Sequence, residues 1–247
     1  MTGLSPWDLG VVTSAALCVG LAKAGLGGLG MVAVVLMALV MPARESTGAL
    51  LTLLIVGDFF AIVAYRRHAV WPVIWRLLPP AVLGIIAGVW LMPRLGEGNY
   101  GAVIGWTTLV LLGVLVIQRR SAKLSAVVAS QRWAGWLAGA AGGIATMLAN
   151  AAGPVMTIYL LACRLPKMAF VGTAAWFFCI VNLTKVPFSI GLGLITWQSL
   201  LLTVLLSPVV VAGGLGGRWV LGRIDQRLFE ILLLGFAALA AVRLIFG

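Results

Sequence analysis

The chain has 247 residues, 62% of them hydrophobic and only 9% charged, with a mean hydropathy of +1.14. A soluble domain carries about a quarter charged residues, so this chain lacks the polar surface to cover a globule and lipid must be its solvent. The net charge of +11 would suit a nucleic-acid partner, but the basic residues fall in short gaps between apolar runs, where membrane topology accounts for them.

In chain order, the amino end "MTGLSPWDLG" has neither the positive n-region nor the cleavage site of a signal peptide. The first apolar segment is therefore expected to stay in the mature protein. Apolar stretches follow at 7–41, 46–65, 71–92, 99–117, 133–163, 168–191, 196–217 and 228–246. Most have the roughly 20 residues that one helix needs to cross a bilayer. The first and fifth are longer, and each carries small residues in its middle: "GLAKAGLGGLG", and "AGGIATMLANAAGP" ending at Pro154. "GLGGLG" formally matches a dinucleotide-binding loop, but its apolar flanks exclude the soluble fold that such a loop needs. Glycine and proline within a membrane helix mark a break, tolerated at membrane depth only where protein or a water-filled cavity surrounds it.

Charge decides whether these two long segments cross once or turn back. If each crosses once, eight basic loop residues face seven, which gives no orientation. If each is a helix–break–helix hairpin, loops 65–76, 118–132, 164–168 and 218–227 share one side and hold twelve basic residues against Arg44, Arg94 and Arg243. That asymmetry is what the positive-inside rule requires. The expected fold is an all-α integral membrane protein of two inverted repeats, each a broken-helix hairpin plus three transmembrane helices. The repeats are expected over 1–120 and 121–247, within one membrane domain, with both termini outside the cytoplasm. An offset of 124 places Pro42 on Pro166, Gly48 on Gly172 and Asp58 on Asn182, and Trp71 corresponds to Trp197 after a two-residue gap.

In folds of this plan, substrate lies near the midplane, where the broken helices of the two halves meet. Helix N-termini and bare turn amides there receive anions, and Gly25, Gly27, Gly28, Ala151 and Gly153 let a ligand approach the backbone. The alternative for such residues is close helix packing, the reading preferred for "GGLGG" at 213–217. Lys23 precedes the first glycine cluster, and Lys185 lies deep in "FCIVNLTKVPFS". A lysine in hydrocarbon costs several kcal/mol unless it snorkels or finds a partner, so both are candidate anion ligands; snorkelling by Lys185, or pairing of Lys23 with Asp58, is the competing account. Asp58, the only acid deep within a span, is read either as a proton or ion carrier or as a lysine's structural partner. Asn150, Asn182, Thr146, Thr173 and Thr184 are candidate neutral donors to an oxyanion. His68 reads as a solvated loop residue. Trp7, Trp71, Trp75, Trp133 and Trp197 read as interfacial anchors, and Cys18, Cys163 and Cys179 as small core residues.

The chain resembles the sulfite exporter TauE/SafE family over nearly its whole length. The resemblance rests on a glycine-rich break opening each half, "AGLGGLGMVAVVLMALVMPARESTGA" and "AGAAGGIATMLANAAGPVMTIYLLACRLPKMAFVGTAA", each followed by an apolar run, a proline and a glycine. It implies a transporter in the cytoplasmic membrane that exports a small sulfur-containing anion, such as sulfite or an organosulfonate, with no cofactor. Both halves depart from the family's run of consecutive glycines, the first with "GLGGLG" and the second with "ANAAGP", which has Asn150 where small residues are common. An intramembrane enzyme is the weaker reading, because the only histidine is in a loop and neither H-E-x-x-H nor G-x-S-x-G occurs. A cation transporter would want several buried carboxylates, and an assembly factor a soluble loop or tail for its partners.

Overall fold

The computed structural model describes residues 5–25, 28–94, 106, 110, 132–163 and 165–220. Among them the chain is helical, with no strand. Helix α1 (Pro6–Lys23) starts on a capping box in which Ser5 and Asp8 exchange side-chain and backbone hydrogen bonds. It stops at Ala24–Gly25, where Gly25 takes φ 116°, and the chain resumes as α2 (Leu29–Val40). Pro42 and Pro166 cap the two long helices α3 (Ala43–Tyr65) and α7 (Lys167–Gly191) in extended conformation. Between them lie a 3-10 turn at Arg66–His68, α4 (Trp71–Leu91), a second 3-10 turn at Met92–Arg94, α5 (Arg132–Ala149) and α6 (Gly153–Ala162). Helix α8 (Trp197–Val220) completes the described set. The apolar stretches 99–117 and 228–246 and the loop 118–131 lie outside the described residues, save Trp106 and Val110.

Among the described residues, four segments are long and apolar enough to cross a membrane: Arg44–His68, Trp71–Arg94, Met168–Gly191 and Trp197–Trp219. Both long stretches of the sequence are broken where small residues cluster. Their second pieces, α2 and α6, have 12 and 10 residues. At about 1.5 Å per residue these reach roughly 18 and 15 Å, short of the ~30 Å of hydrocarbon.

Helix directions show that both pieces carry the chain back. Leu17, Gly20 and Ala24 meet Gly213, Gly214 and Gly217 in order, so α1 runs parallel to α8. Arg76, Pro80 and Met147 meet Gly135, Gly139 and Gly88, so α4 runs parallel to α5. Helices α3 and α7 are antiparallel, with Asp58 against Asn182 and Tyr65 against Gly172. The short connections α3–α4 and α7–α8 leave their helices antiparallel. It follows that α1 and α3 run one way while α5 and α7 run the other. For α1 and α3 to share a direction, α2 must return; the same holds for α6 between α5 and α7.

Packing does not follow the order of the chain. One core gathers α1, α2, α3 and α8, together with Ala149 and Ala151 of the second break. The other gathers α4, α5, α6 and α7, with Leu194. Each set of broken and long helices therefore takes its fourth helix from the other half of the sequence. Small residues permit this exchange: a Cβ on Gly20 would lie 2.1 Å from the Val210 carbonyl oxygen, and one on Gly143 would lie 2.1 Å from that of Ala81. Matching approaches recur at the helix ends, where a Cβ on Gly48 would lie 1.8 Å from the Leu194 carbonyl oxygen and one on Gly172 would lie 2.8 Å from that of Tyr65. Gly213 and Gly217 of "GGLGG" serve the α1–α8 contact, and Gly214 leaves room for the Phe60 ring of α3, as packing predicts. Cys18, Cys163 and Cys179 are free thiols, buried or half-buried, and Trp7, Trp75, Trp133 and Trp197 are exposed near helix starts.

Because the α4–α5 seam leaves no room for a methyl group, Gly143→Ala should lower stability by about 1–3 kcal/mol, the usual range for overpacking. Thermal melting in detergent measures this, with Gly216→Ala, which points into open space, expected to melt like the parent.

Candidate functional site

Lys23 is the last residue of α1, and its ammonium reaches across to α3, where it forms an ion pair with Asp58 Oδ1. The neighbouring Gly57 makes this path possible, since a Cβ there would lie 2.9 Å from Lys23 Cγ. The ammonium also lies 4.8 Å from the centre of the Phe178 ring on α7, a cation–π contact. Asp58 is fully buried, and its second oxygen accepts from Asn182 Nδ2 at 2.7 Å. One carboxylate thus ties α1, α3 and α7 together.

The second break is built around a different cation. Lys185 stands three residues beyond Asn182, on the same face of α7, and is 1% exposed. Its ammonium donates to Asn150 Oδ1 at 2.6 Å and to Thr146 Oγ1 at 3.1 Å. Asn150 sits at the break itself with φ 51°, in the left-handed region that asparagine tolerates better than most residues. Its amide donates to the Thr47 carbonyl on α3 at 2.8 Å. Both breaks therefore dock on the antiparallel α3–α7 pair, one through Asp58 and Asn182, the other through Thr47 and Lys185.

The electrostatics of the two breaks differ. Lys23 and Asp58 neutralise each other, and theirs is the only ion pair among the described residues. Lys185 is held by neutral oxygens alone. With all three groups ionised, the buried charges sum to +1, with the excess on Lys185.

The residues expected at the site divide accordingly. Lys23, Asp58, Asn182, Lys185, Asn150 and Thr146 come together. Of the two accounts of Lys23, pairing with Asp58 is the one realised; snorkelling of Lys185 to an interface is not. Gly25, Gly28, Ala151 and Gly153 lie at the breaks, and Gly27 lies outside the described residues. The amides of Gly25, Asn150 and Ala151 are already bonded to the Ala22, Thr146 and Ala145 carbonyls, so they are not the bare donors that the sequence suggested. Gly28, by contrast, opens α2 without a side-chain cap. Thr173 stands apart, nine residues or about 13 Å along α7 from Asn182, and accepts from Val70 N at 2.9 Å at the α3–α4 connection. Thr184 bonds to its own helix at Ile180 O. Phe178, Gly57 and the Thr47 carbonyl complete the surroundings without having been singled out. A glycine directly before the only deep acid was the available signal for Gly57; nothing local marked the other two.

A chain of apolar helices with paired breaks and a buried, net-positive polar cluster between them is a multi-pass membrane protein of the transporter class. Residues 12–244 match the sulfite exporter TauE/SafE family. With nearly the whole chain matched, the protein belongs to that family, whose description implies membrane export of sulfur anions. No match was found among curated proteins or solved structures.

The geometry at Asn150 separates backbone from side-chain effects. Asn150→Ala and Asn150→Gly both lose the bonds to Lys185 and Thr47, but only alanine bears the ~1–2 kcal/mol cost of the left-handed conformation. The alanine variant should therefore be less stable than the glycine variant by about that amount, measured by melting in detergent.

Proposed function

We propose that the protein is a secondary transporter of the cytoplasmic membrane that exports a small sulfur oxyanion or organosulfonate, bound beside Lys185 between the two breaks. The single observation that carries this reading is a fully buried ammonium with only neutral partners. An isolated charge at membrane depth is costly, and an anion lodged beside Lys185 offsets that cost while exchanging its own hydration for hydrogen bonds. Asn150, Thr146 and Asn182 are the neutral groups at hand, and the uncapped first turn of α2 adds a favourable helix N-terminus. Lys23 and Asp58 form the wall of the pocket.

The transport cycle in this reading is alternating access around two inverted repeats. Its support is the reversal of direction between α1/α3 and α5/α7, together with contacts that keep their pattern when the halves are exchanged: α1–α8 with α5–α4, α2–α3 with α6–α7, and α3–α8 with α7–α4. The basic loops around Arg66, Arg67 and Arg76 then face the cytoplasm.

Lys185→Met keeps the length of the side chain and removes its charge. Sulfite flux into proteoliposomes should fall at least tenfold while the purified protein still melts cooperatively; undiminished flux would remove Lys185 from the site. In a panel of sulfite, thiosulfate, sulfoacetate and simple cations, at least one anion and none of the cations should raise the melting temperature, whereas a response confined to cations would favour a cation carrier. For topology, single cysteines placed at Ser5 and Glu45 in a cysteine-free background should label from outside the cell, and those at Arg67, Arg132 and Lys167 from the cytoplasm. Labelling of positions 45 and 132 from the same face would overturn the paired hairpins.

A further inference from the structure

We infer that Asp58 sets the charge of the anion the site accepts, making it selective for monoanions over dianions of the same shape. This inference deepens the anion-site reading and rests on it. The cluster contains two ammonium groups and one carboxylate, all at least nine-tenths buried. Lys185 lies within electrostatic reach of both Lys23 and Asp58, so a ligand at Lys185 meets the sum of the three charges and not that of one lysine.

Among the described residues, the surroundings supply no further charge to alter this sum. Helix α2 has no ionisable residue, and the only charged residue of α8, Arg218, lies at its far end over the Tyr65 ring at 5.8 Å. From α7 the groups facing Asp58 are Asn182, the Cys179 thiol, which is its electrostatic neighbour, and Lys185 itself. From α1 the group is Lys23. In a low-dielectric interior the favoured occupied state is the one nearest neutrality. With a sum of +1, a monoanion reaches it; a dianion leaves an uncompensated negative charge where no further donor is at hand.

Had the protein required only a structural partner for Lys23, an apolar pair would have served without the desolvation cost of two ions. The ion pair adds no net charge, yet its carboxylate, bonded to Asn182 one turn along α7 from Lys185, holds the count at +1 instead of +2. Asp58→Asn raises the sum to +2, and Lys23→Met combined with Asp58→Asn returns it to +1 without either ion.

Methanesulfonate and sulfate provide the test, being tetrahedral anions that differ mainly in one charge. Their affinities for the purified full-length protein in detergent are measured by calorimetry at fixed pH and ionic strength. The parent should bind methanesulfonate at least tenfold more tightly than sulfate. In Asp58→Asn the order should reverse, and in Lys23→Met/Asp58→Asn the monoanion should again be preferred. An Asp58→Asn protein with the parental ratio, or a parent that prefers sulfate, overturns the inference while leaving the anion site standing. Should Asp58→Asn fail to fold, loss of the monoanion preference in the charge-restored double variant overturns it equally. A parent that binds neither anion overturns both this inference and the anion-site reading.

Discussion

The carboxylate of Asp58, held between the Lys23 ammonium and the Asn182 amide, is the contact on which the rest of the architecture depends. A buried carboxylate is tolerable only with its lone pairs occupied, and here the donors come from two other helices. The first break cannot move away from α3 without stranding a lysine, and α3 cannot slide along α7 without stranding an acid. Because this occurs out of water, each donor holds its place more firmly than it would at a surface.

The second break obeys the same logic with a different partition of charge. Asn150 connects the Lys185 ammonium to the Thr47 carbonyl, so the tip of one hairpin is bound to both long helices by one side chain in a left-handed conformation. Asparagine meets both demands, since it tolerates that backbone and presents an acceptor and a donor at once. The asymmetry between the breaks, a lysine paired with a carboxylate at one and a lysine held by neutral oxygens at the other, is the electrostatic basis of the proposed anion site.

Helix exchange between the halves adds a mechanical consequence. The two cores meet where α3 lies against α7, and α4 and α8 each pack on the opposite half's first helix through glycine seams. Any displacement of one core against the other shears the α3–α7 contact, which is where Asp58 meets Asn182. Glycine seams are smooth and carry no interlocking side chains, so they resist such sliding less than a ridged interface would.

Composition and periodicity alone determined that lipid is the solvent, where the apolar stretches begin and end, and that two of them break at small-residue clusters, because hydropathy and the absence of side chains are local properties. The balance of basic residues between loops determined that those breaks return the chain. Asp58 and Asn182, which an offset of 124 matches in the sequence, are hydrogen-bonded to one another in the fold. Only the tertiary structure decided that Lys23 belongs to Asp58 and Lys185 to Asn150, that Thr173 serves the α3–α4 connection, and that α4 and α8 change places between cores. Those outcomes depend on which helix faces approach one another, and distances across a fold are not encoded by the residues on either side of a given position.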